Sequence, residues 1–405
     1  MTRDAYWINH ALLVSQMQST AKGIILNYLD QIEAYQYPPT GLRVYYEERT
    51  GPPLMTEMVR QFLKRYDDQE LLERALPLLE SEYEWWMLYR SVRLAPNGAV
   101  LRLDDNSTPN SHVLNLYRAY SNVPRPEAFV SDIALMKKAF DLSADDALQP
   151  HRIYRDLASA SESGWELSSR WCSEERQITS IHTFDIVPVD LNSILYKNER
   201  TMAEWYAKFE QKELARQPPN TARAREYQVK AAGKLAAANR RLVAMQHFLW
   251  DNSRALWLDF DTSIGSSKDY RNRFYISSLY PVWAGITSNI ESVAELEQPL
   301  SRADMEGRLF ETLQSIGLFD FKGGIPTSTV CIFVLDHDSD HDAFLALAEV
   351  HLTHSLLISR MIRASCTIIP IRLLPWSWLP SMPWPSWERP LLLPPRNHVV
   401  SQVVG

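Results

Sequence analysis

Apolar residues recur along most of this chain at intervals of three and four, the spacing that gathers them on one face of a helix. The sharpest run follows Pro52-Pro53. Met55, Met58, Val59, Phe62, Leu63 and Tyr66 share a face, so a helix is predicted to begin just after the prolines and to bury that side. Leu72, Leu76, Leu79, Tyr83 and Trp86 keep the same rhythm; Pro77 interrupts them and is expected to open a new helix at its first turn. Met202, Trp205, Tyr206 and Phe209 predict another helix, and the Ala-rich stretch from Ala222 to Trp250 predicts a long one of high intrinsic propensity. Ser301 with Asp304 resembles a capping box ahead of Leu309, Phe310, Leu313 and Ile316. Alternating strand patterns are few and short, and no fixed-period repeat is present. The expected fold class is all-α, a globule and not a solenoid.

The pattern changes after about Thr329. Residues 330–405 hold the run Asp336-His337-Asp338-Ser339-Asp340-His341-Asp342, an apolar stretch through Ile362, and a segment from Pro370 to Pro395 in which Trp376, Trp378, Trp384 and Trp387 alternate with prolines. So many prolines exclude a regular helix there. Two parts are therefore expected: a helical domain over 1–329 and a divergent, poorly ordered Pro/Trp/His-rich tail over 330–405, of the kind a reading-frame change or retained intron produces. His337 and His341 stand at i and i+4, a spacing that suits a metal if helical, but a solvated surface run is the simpler expectation.

Composition narrows the function classes. With 45% hydrophobic and 22% charged residues the 405-residue chain reads as globular, and thirteen Trp and eighteen Tyr exceed what packing alone requires, which favours a sugar or ligand cleft. A net charge of −7 argues against nucleic acid as a partner. Cys172, Cys331 and Cys366 have neither the number nor the spacing of a disulfide framework or redox motif. No leader and no apolar run of about 18 residues is visible, so no membrane segment is expected, and the compartment is left open.

The chemistry concentrates in Glu162 to Trp171, Glu-Ser-Gly-Trp-Glu-Leu-Ser-Ser-Arg-Trp. Sugars offer hydroxyls on all sides and apolar C–H patches, so a sugar site needs flat aromatic faces, planar donors such as Arg, and a carboxyl for proton transfer. All three occur within these ten residues. The simpler reading makes Trp165 and Trp171 core residues beside a helix.

This stretch resembles the ESGWDFSSRW motif of the trehalase family, inverting glycoside hydrolases that split α,α-trehalose into two glucoses. The family's general acid is the Asp after Gly-Trp, and Glu166 occupies that place. Tyr37 to Pro53 is similar to the family's PNGxRxYYxxRSQPP loop, matching at Gly41, Arg43, Tyr45, Tyr46, Arg49, Pro52 and Pro53, with Thr40 and Gly51 in place of its Asn and Gln. Pro124-Arg125-Pro126-Glu127 matches its PRPE element. Asp4 with Tyr6-Trp7, Pro188 to Asn192, Trp283 to Ile286 and Gly323 to Ser328 add shorter matches in the same order, and Arg3 replaces the Trp expected before Asp4.

The resemblance implies an (α/α)6 toroid, present in part, with the active site at one mouth. It implies Glu166 as acid, and Asp4, Arg43, Arg49, Arg125, Glu127 and Gly164 around the sugar. Glu166 is longer than Asp by one methylene and is expected to be buried against Trp165; a misplacement on the order of 1 Å costs about 100-fold in rate. Inverting hydrolysis also needs a base carboxylate ~6.5–9.5 Å from the acid and requires no metal or cofactor. The family's QWDxPxxWxP signature near that base is absent here, so the resemblance names no base. Trehalose is the expected small-molecule partner. Two other readings stay open: a chain that binds sugar without turnover, and a nonfunctional truncated product.

Overall fold

The computed structural model describes residues 2–104, 107–142, 150–174, 177–265, 273–293, 301–321, 325, 326 and 328. The tail over 330–405, with His337, His341 and the Pro/Trp segment, lies outside the described residues, as do Gly323, Gly324 and Thr327. The described chain is mostly helical: α1 (Thr2–Val14), α2 (Gln18–Tyr35), α3 (Met55–Leu63), α4 (Gln69–Tyr89), α5 (Phe129–Leu142), α6 (Pro150–Ser163), α7 (Val189–Leu214), α8 (Thr221–Phe248), α9 (Tyr280–Ala284), α10 (Ile286–Asn289) and α11 (Arg302–Ser315). No helix among them is long and apolar enough to cross a membrane.

Helix α3 starts two residues after Pro53 and buries Met55, Met58, Val59 and Phe62, the face that the spacing predicts. In α8, Asn220 caps the N-terminus by accepting from the Arg223 N–H at 3.2 Å. Ser301 caps α11, its Oγ accepting from the Asp304 N–H at 3.1 Å and donating to the Asp304 carboxylate at 2.7 Å.

Pro77 corrects the sequence reading. It opens no new helix; α4 runs unbroken from Gln69 to Tyr89 with Pro77 inside it. The ring is exposed while Leu72, Ala75, Leu76 and Leu79 are buried. The lost backbone bond therefore falls on the wet side of the helix, where water can serve the freed carbonyl, and burial of the opposite face holds the two halves in line.

Strands are minor. β1 (Ser91–Leu94) lies between β2 (Val100–Leu101) and β3 (His112–Asn115), antiparallel to both, with Ser91 opposite Asn115 and Arg93 opposite Leu101. Two pairs of two-residue strands complete the set: β4 (Ile186–Val187) with β7 (Phe260–Asp261), and β5 (Trp250–Asp251) with β6 (Leu256–Trp257).

Helix α7 is the axis of this arrangement. Every residue from Val189 to Tyr196 is buried, which marks an interior helix, and α3, α4, α8 and α9 pack around it. A buried polar stitch fixes its rotation. Arg241 of α8 donates to the Glu199 carboxylate at 2.8–3.1 Å and to the Asn115 and Asn192 side-chain oxygens, each at 2.9 Å, and Tyr83 donates to Glu199 at 2.9 Å. One cluster of side chains so joins α4, β3, α7 and α8. A neighbouring core of Trp85, Trp86, Tyr117, Leu157, Trp171 and Leu195 carries α4 and α6 to the same end of α7.

Candidate active site

Four chain ends meet near the start of α7: the first turn of α1, the end of α4, the end of α6, and α7 itself. Glu162, in the last turn of α6, is fully buried and ties three of the surrounding segments together. Its carboxylate accepts from Arg90 Nε at 3.1 and 3.2 Å and from Arg90 Nη2 at 3.0 Å. It also accepts the backbone N–H of Thr50 at 3.2 Å and of Arg118 at 3.0 Å. A carboxylate with that many donors is a positioning device, and the segments it holds carry Arg49 and the chain leading to Arg125.

The chain leaves α6 in a bend. Gly164 has φ +72° and Glu166 has φ +48°, both in the left-handed region, while the Ser163 Oγ accepts the Trp165 N–H at 2.9 Å. Ser168 then caps the short turn Ser169–Trp171, accepting the Arg170 N–H at 3.2 Å. Glycine suits position 164 for a second reason: a Cβ there would stand 2.8 Å from Nη1 of Arg3, which reaches over from α1.

The residues that the resemblance implicates are disposed as follows. Arg49 is buried and forks onto Glu127, Nη1 to Oε1 at 2.7 Å and Nη2 to Oε2 at 3.0 Å, and its guanidinium lies 5.2 Å from the Tyr46 ring centre. Burial pushes the Glu127 carboxyl up, but the Arg49 hydrogen bonds and the Arg49 and Arg125 charges outweigh it and hold the group below its ordinary value. Arg125 forks onto Asp132, Nη2 to Oδ1 at 2.6 Å and Nε to Oδ2 at 2.9 Å, and donates from Nη1 to Ser161 at 3.3 Å. Burial works against the Arg125 cation; Asp132 first, then Glu127 and Glu166, raise its pKa. Arg49, Glu127, Arg125 and Glu166 thus form one electrostatic group. Gly164 joins it through Arg3, and Asp4 through its contact with Arg3 Nε at 3.4 Å. Arg43 stands apart, exposed at the start of the turn Val44–Tyr46 with no side-chain hydrogen bond among the described residues.

Two expectations change. Glu166 is exposed, not buried against Trp165, because its positive φ turns it away from the helix end. The two tryptophans serve a cation before any sugar: Arg170 sits between the Trp165 and Trp171 rings, 4.6 Å from each centre, and pairs with Asp190 and Asp259 at 2.7–3.1 Å. Trp171 is wholly buried in the core, as the simpler reading has it. Trp165 is half-buried, its indole N–H donating to Asp190 at 2.8 Å.

Sequence reasoning passed over Glu162, Arg90, Asp132 and Asp259 as supports. Glu162 had a signal, since it opens the motif, and Asp190 lies in the quoted Pro188 to Asn192 match. Arg90 and Asp132 had none; their roles depend on segments brought together by folding.

Comparison with known proteins agrees with this geometry. The family model "Trehalase" matches residues 3–331. The chain is similar to the trehalase of Dictyostelium discoideum, 34% identical over 83% of this chain and 50% of the relative. It is similar to human trehalase at 30% identity over 80% of this chain and 48% of the relative. Among solved structures it superposes on the neutral trehalase Nth1 of Saccharomyces cerevisiae with a TM-score of 0.56 at 19% identity, covering 80% of this chain and 54% of that one. The chain thus spans about half the length of these relatives. The described fold is all-α, of the (α/α)6 toroid type. With the family model covering most of the sequence, this chain belongs to the trehalase family.

Proposed function

We propose that residues 1–329 form the acid-bearing side of a trehalose cleft and act in hydrolysis of α,α-trehalose to two glucoses by an inverting, two-carboxylate mechanism, with 330–405 a part of divergent sequence. The observation that carries the reading is the convergence of Arg49–Glu127, Arg125 and Glu166 on the bend after Glu162. Glu166 is the proton donor to the glycosidic oxygen. Glu127 and Asp4 accept sugar O–H groups, Arg49 and Arg125 hold those loops in place and offer their outer N–H groups, Arg43 contributes from the rim, and Gly164 leaves room at the bend. A carboxylate across the ring activates water; no residue of this chain is assigned to that role.

The test is glucose release from trehalose by the purified protein, with Glu166→Ala as control. Release abolished by the substitution is the expected result. No release from a chain that unfolds cooperatively in denaturant overturns hydrolysis. One observation favours a second reading, sugar binding without turnover: Glu166 is exposed and makes no hydrogen bond among the described residues. Saturable trehalose binding with no glucose formed would select it.

A further inference from the structure

Four of the described arginines around the bend are committed. Arg49 is closed on Glu127, Arg90 on Glu162, Arg125 on Asp132, and Arg170 on Asp190 and Asp259, each through charge-assisted bonds that include at least one of 3.0 Å or less. A guanidinium whose fork already holds a carboxylate offers a ligand its outer N–H groups alone. Arg3 differs. Its side chain is only 17% exposed, so it is largely out of water. Its contacts are two long ones from Nε and Nη2 to a single oxygen of Asp4, at 3.4 and 3.5 Å, and Nη1 donates to no described residue.

Its position is equally distinctive. Nη1, Cδ and Cζ of Arg3 lie 2.8, 3.0 and 3.1 Å from where a Cβ of residue 164 would be, so the absent side chain of Gly164 is the space that admits the guanidinium. That contact lies two residues from Glu166. The charge of Arg3 also acts on Tyr280 of α9, where burial and then Asp190 raise the phenol and Arg170 and Arg3 oppose them. Arg3 therefore stands against the bend, within electrostatic reach of Tyr280 as Asp190 and Arg170 are, a mostly desolvated cation with open donors, which is costly without a partner.

Resting on the trehalose reading above, we propose that Arg3 is a specificity-determining residue that clamps two adjacent hydroxyls of the sugar ring bound at Gly164–Glu166, through the N–H groups it leaves free. A fork of parallel N–H donors matches a vicinal diol as it matches a carboxylate. The diol is the fitting ligand because Asp4 and Glu166 flank the site and repel an anion. The family Trp that Arg3 replaces would offer an apolar face instead. This chain therefore recognises that ring by hydroxyl configuration more than by stacking.

The experiment is calorimetric binding of trehalose and its monodeoxy analogues to the intact chain and to Arg3→Ala, Arg3→Lys and Arg3→Gln, with urea unfolding of each. Arg3→Ala is expected to weaken trehalose binding by on the order of tenfold or more. At one hydroxyl the intact chain discriminates against the deoxy analogue and Arg3→Ala does not, an effect that a purely structural role would not produce. Arg3→Lys keeps the charge without the fork and is expected not to restore that discrimination. If Arg3→Ala fails to fold, Arg3→Gln carries the comparison. Variants that bind trehalose and every analogue as the intact chain does overturn the inference alone. Failure of the intact chain to bind trehalose overturns the reading on which it rests.

Discussion

Glu162→Gln is the most informative single change, because it keeps the shape of the side chain and removes only its charge. Glu162 accepts five hydrogen bonds, three from Arg90 and one each from the backbone N–H groups of Thr50 and Arg118. An amide NH2 in place of one carboxylate oxygen would face donors with a donor, so at least one buried N–H loses its acceptor. Arg90, 4% exposed, would lose its counter-charge and keep the Trp85 face at 4.6 Å, the Tyr120 ring at 5.8 Å and backbone carbonyls. Stranding one member of a buried pair costs about 3–5 kcal/mol, and the residual cation–π contact, worth ~1–2 kcal/mol, is already present in the parent. The expected loss is about 3–5 kcal/mol in urea unfolding followed by tryptophan fluorescence. Glu162→Gln combined with Arg90→Met removes the stranded charge and is expected to be more stable than the sum of the single losses. A single-variant loss below about 1 kcal/mol, or strict additivity in the pair, would refute the account of Glu162 as the knot of the site.

Four further outcomes follow from other parts of the molecule. Glu82 is buried with one oxygen unpartnered, and burial raises its pKa from 4.5 to about 8. The folded chain therefore holds a proton that the unfolded chain releases above about 4.5; the stability tied to Glu82 is full below that pH and is lost as pH rises towards 8. Glu82→Gln should flatten that fall, with a gain on the order of 3 kcal/mol at pH 7, and an unchanged pH profile in denaturant titrations would count against the assignment. Gly164→Ala places a methyl at φ +72° and 2.8 Å from Arg3; about 1–2 kcal/mol of stability should be lost together with sugar affinity, and a variant matching the parent in both measurements would contradict the close approach. Pro77→Ala restores a helical N–H on the exposed side of α4 and should raise the urea midpoint by an equivalent of about 1–2 kcal/mol; a lower midpoint would mean that Pro77 is matched to a bend in the helix. Trehalose carrying a phosphate ester should bind more weakly than trehalose, by on the order of tenfold at low salt, with the gap narrowing as salt is added; tighter binding of the ester would show that Arg3 outweighs the repulsion of Asp4 and Glu166 and would refute the preference for a neutral ligand.

The helices were legible because their signal is local. The face of α3, the Ser301 cap and the extent of α8 each depend on residues within a few turns of one another. Pro77 was misread for a reason that the sequence does not carry: whether a proline ends a helix depends on which side of it is wet. The site was legible in its motifs and illegible in its wiring. Arg49 and Glu127 could be named, but their pairing spans 78 residues, and that of Arg90 with Glu162 spans 72. Aromatic residues misled in the other direction, since a tryptophan beside an arginine reads equally as a sugar platform or as the wall of a buried cation, and Trp171 is the latter.

The wiring also restricts the ligand. Four arginines near the bend bring four positive charges, and Glu127, Glu162, Asp132, Asp190 and Asp259 answer them within hydrogen-bond distance, so these groups together are not cationic. Asp4 and Glu166 add two carboxylates beyond those pairs, and Arg3 is a guanidinium there whose fork closes on no carboxylate. An anionic ligand seeking Arg49 or Arg125 would have to displace a carboxylate already bonded at 2.6–3.0 Å, and at Arg3 it would face the Asp4 carboxylate. A neutral polyol needs no such exchange, since its hydroxyls can donate to Glu127, Asp4 and Glu166 and accept from Arg3. Pairing each remaining arginine internally keeps those acceptors at fixed positions before the ligand arrives, so that little ordering cost falls on binding. The same pairs that consume the arginines therefore hold the site residues in place before a ligand arrives, which suits the uncharged sugar proposed above.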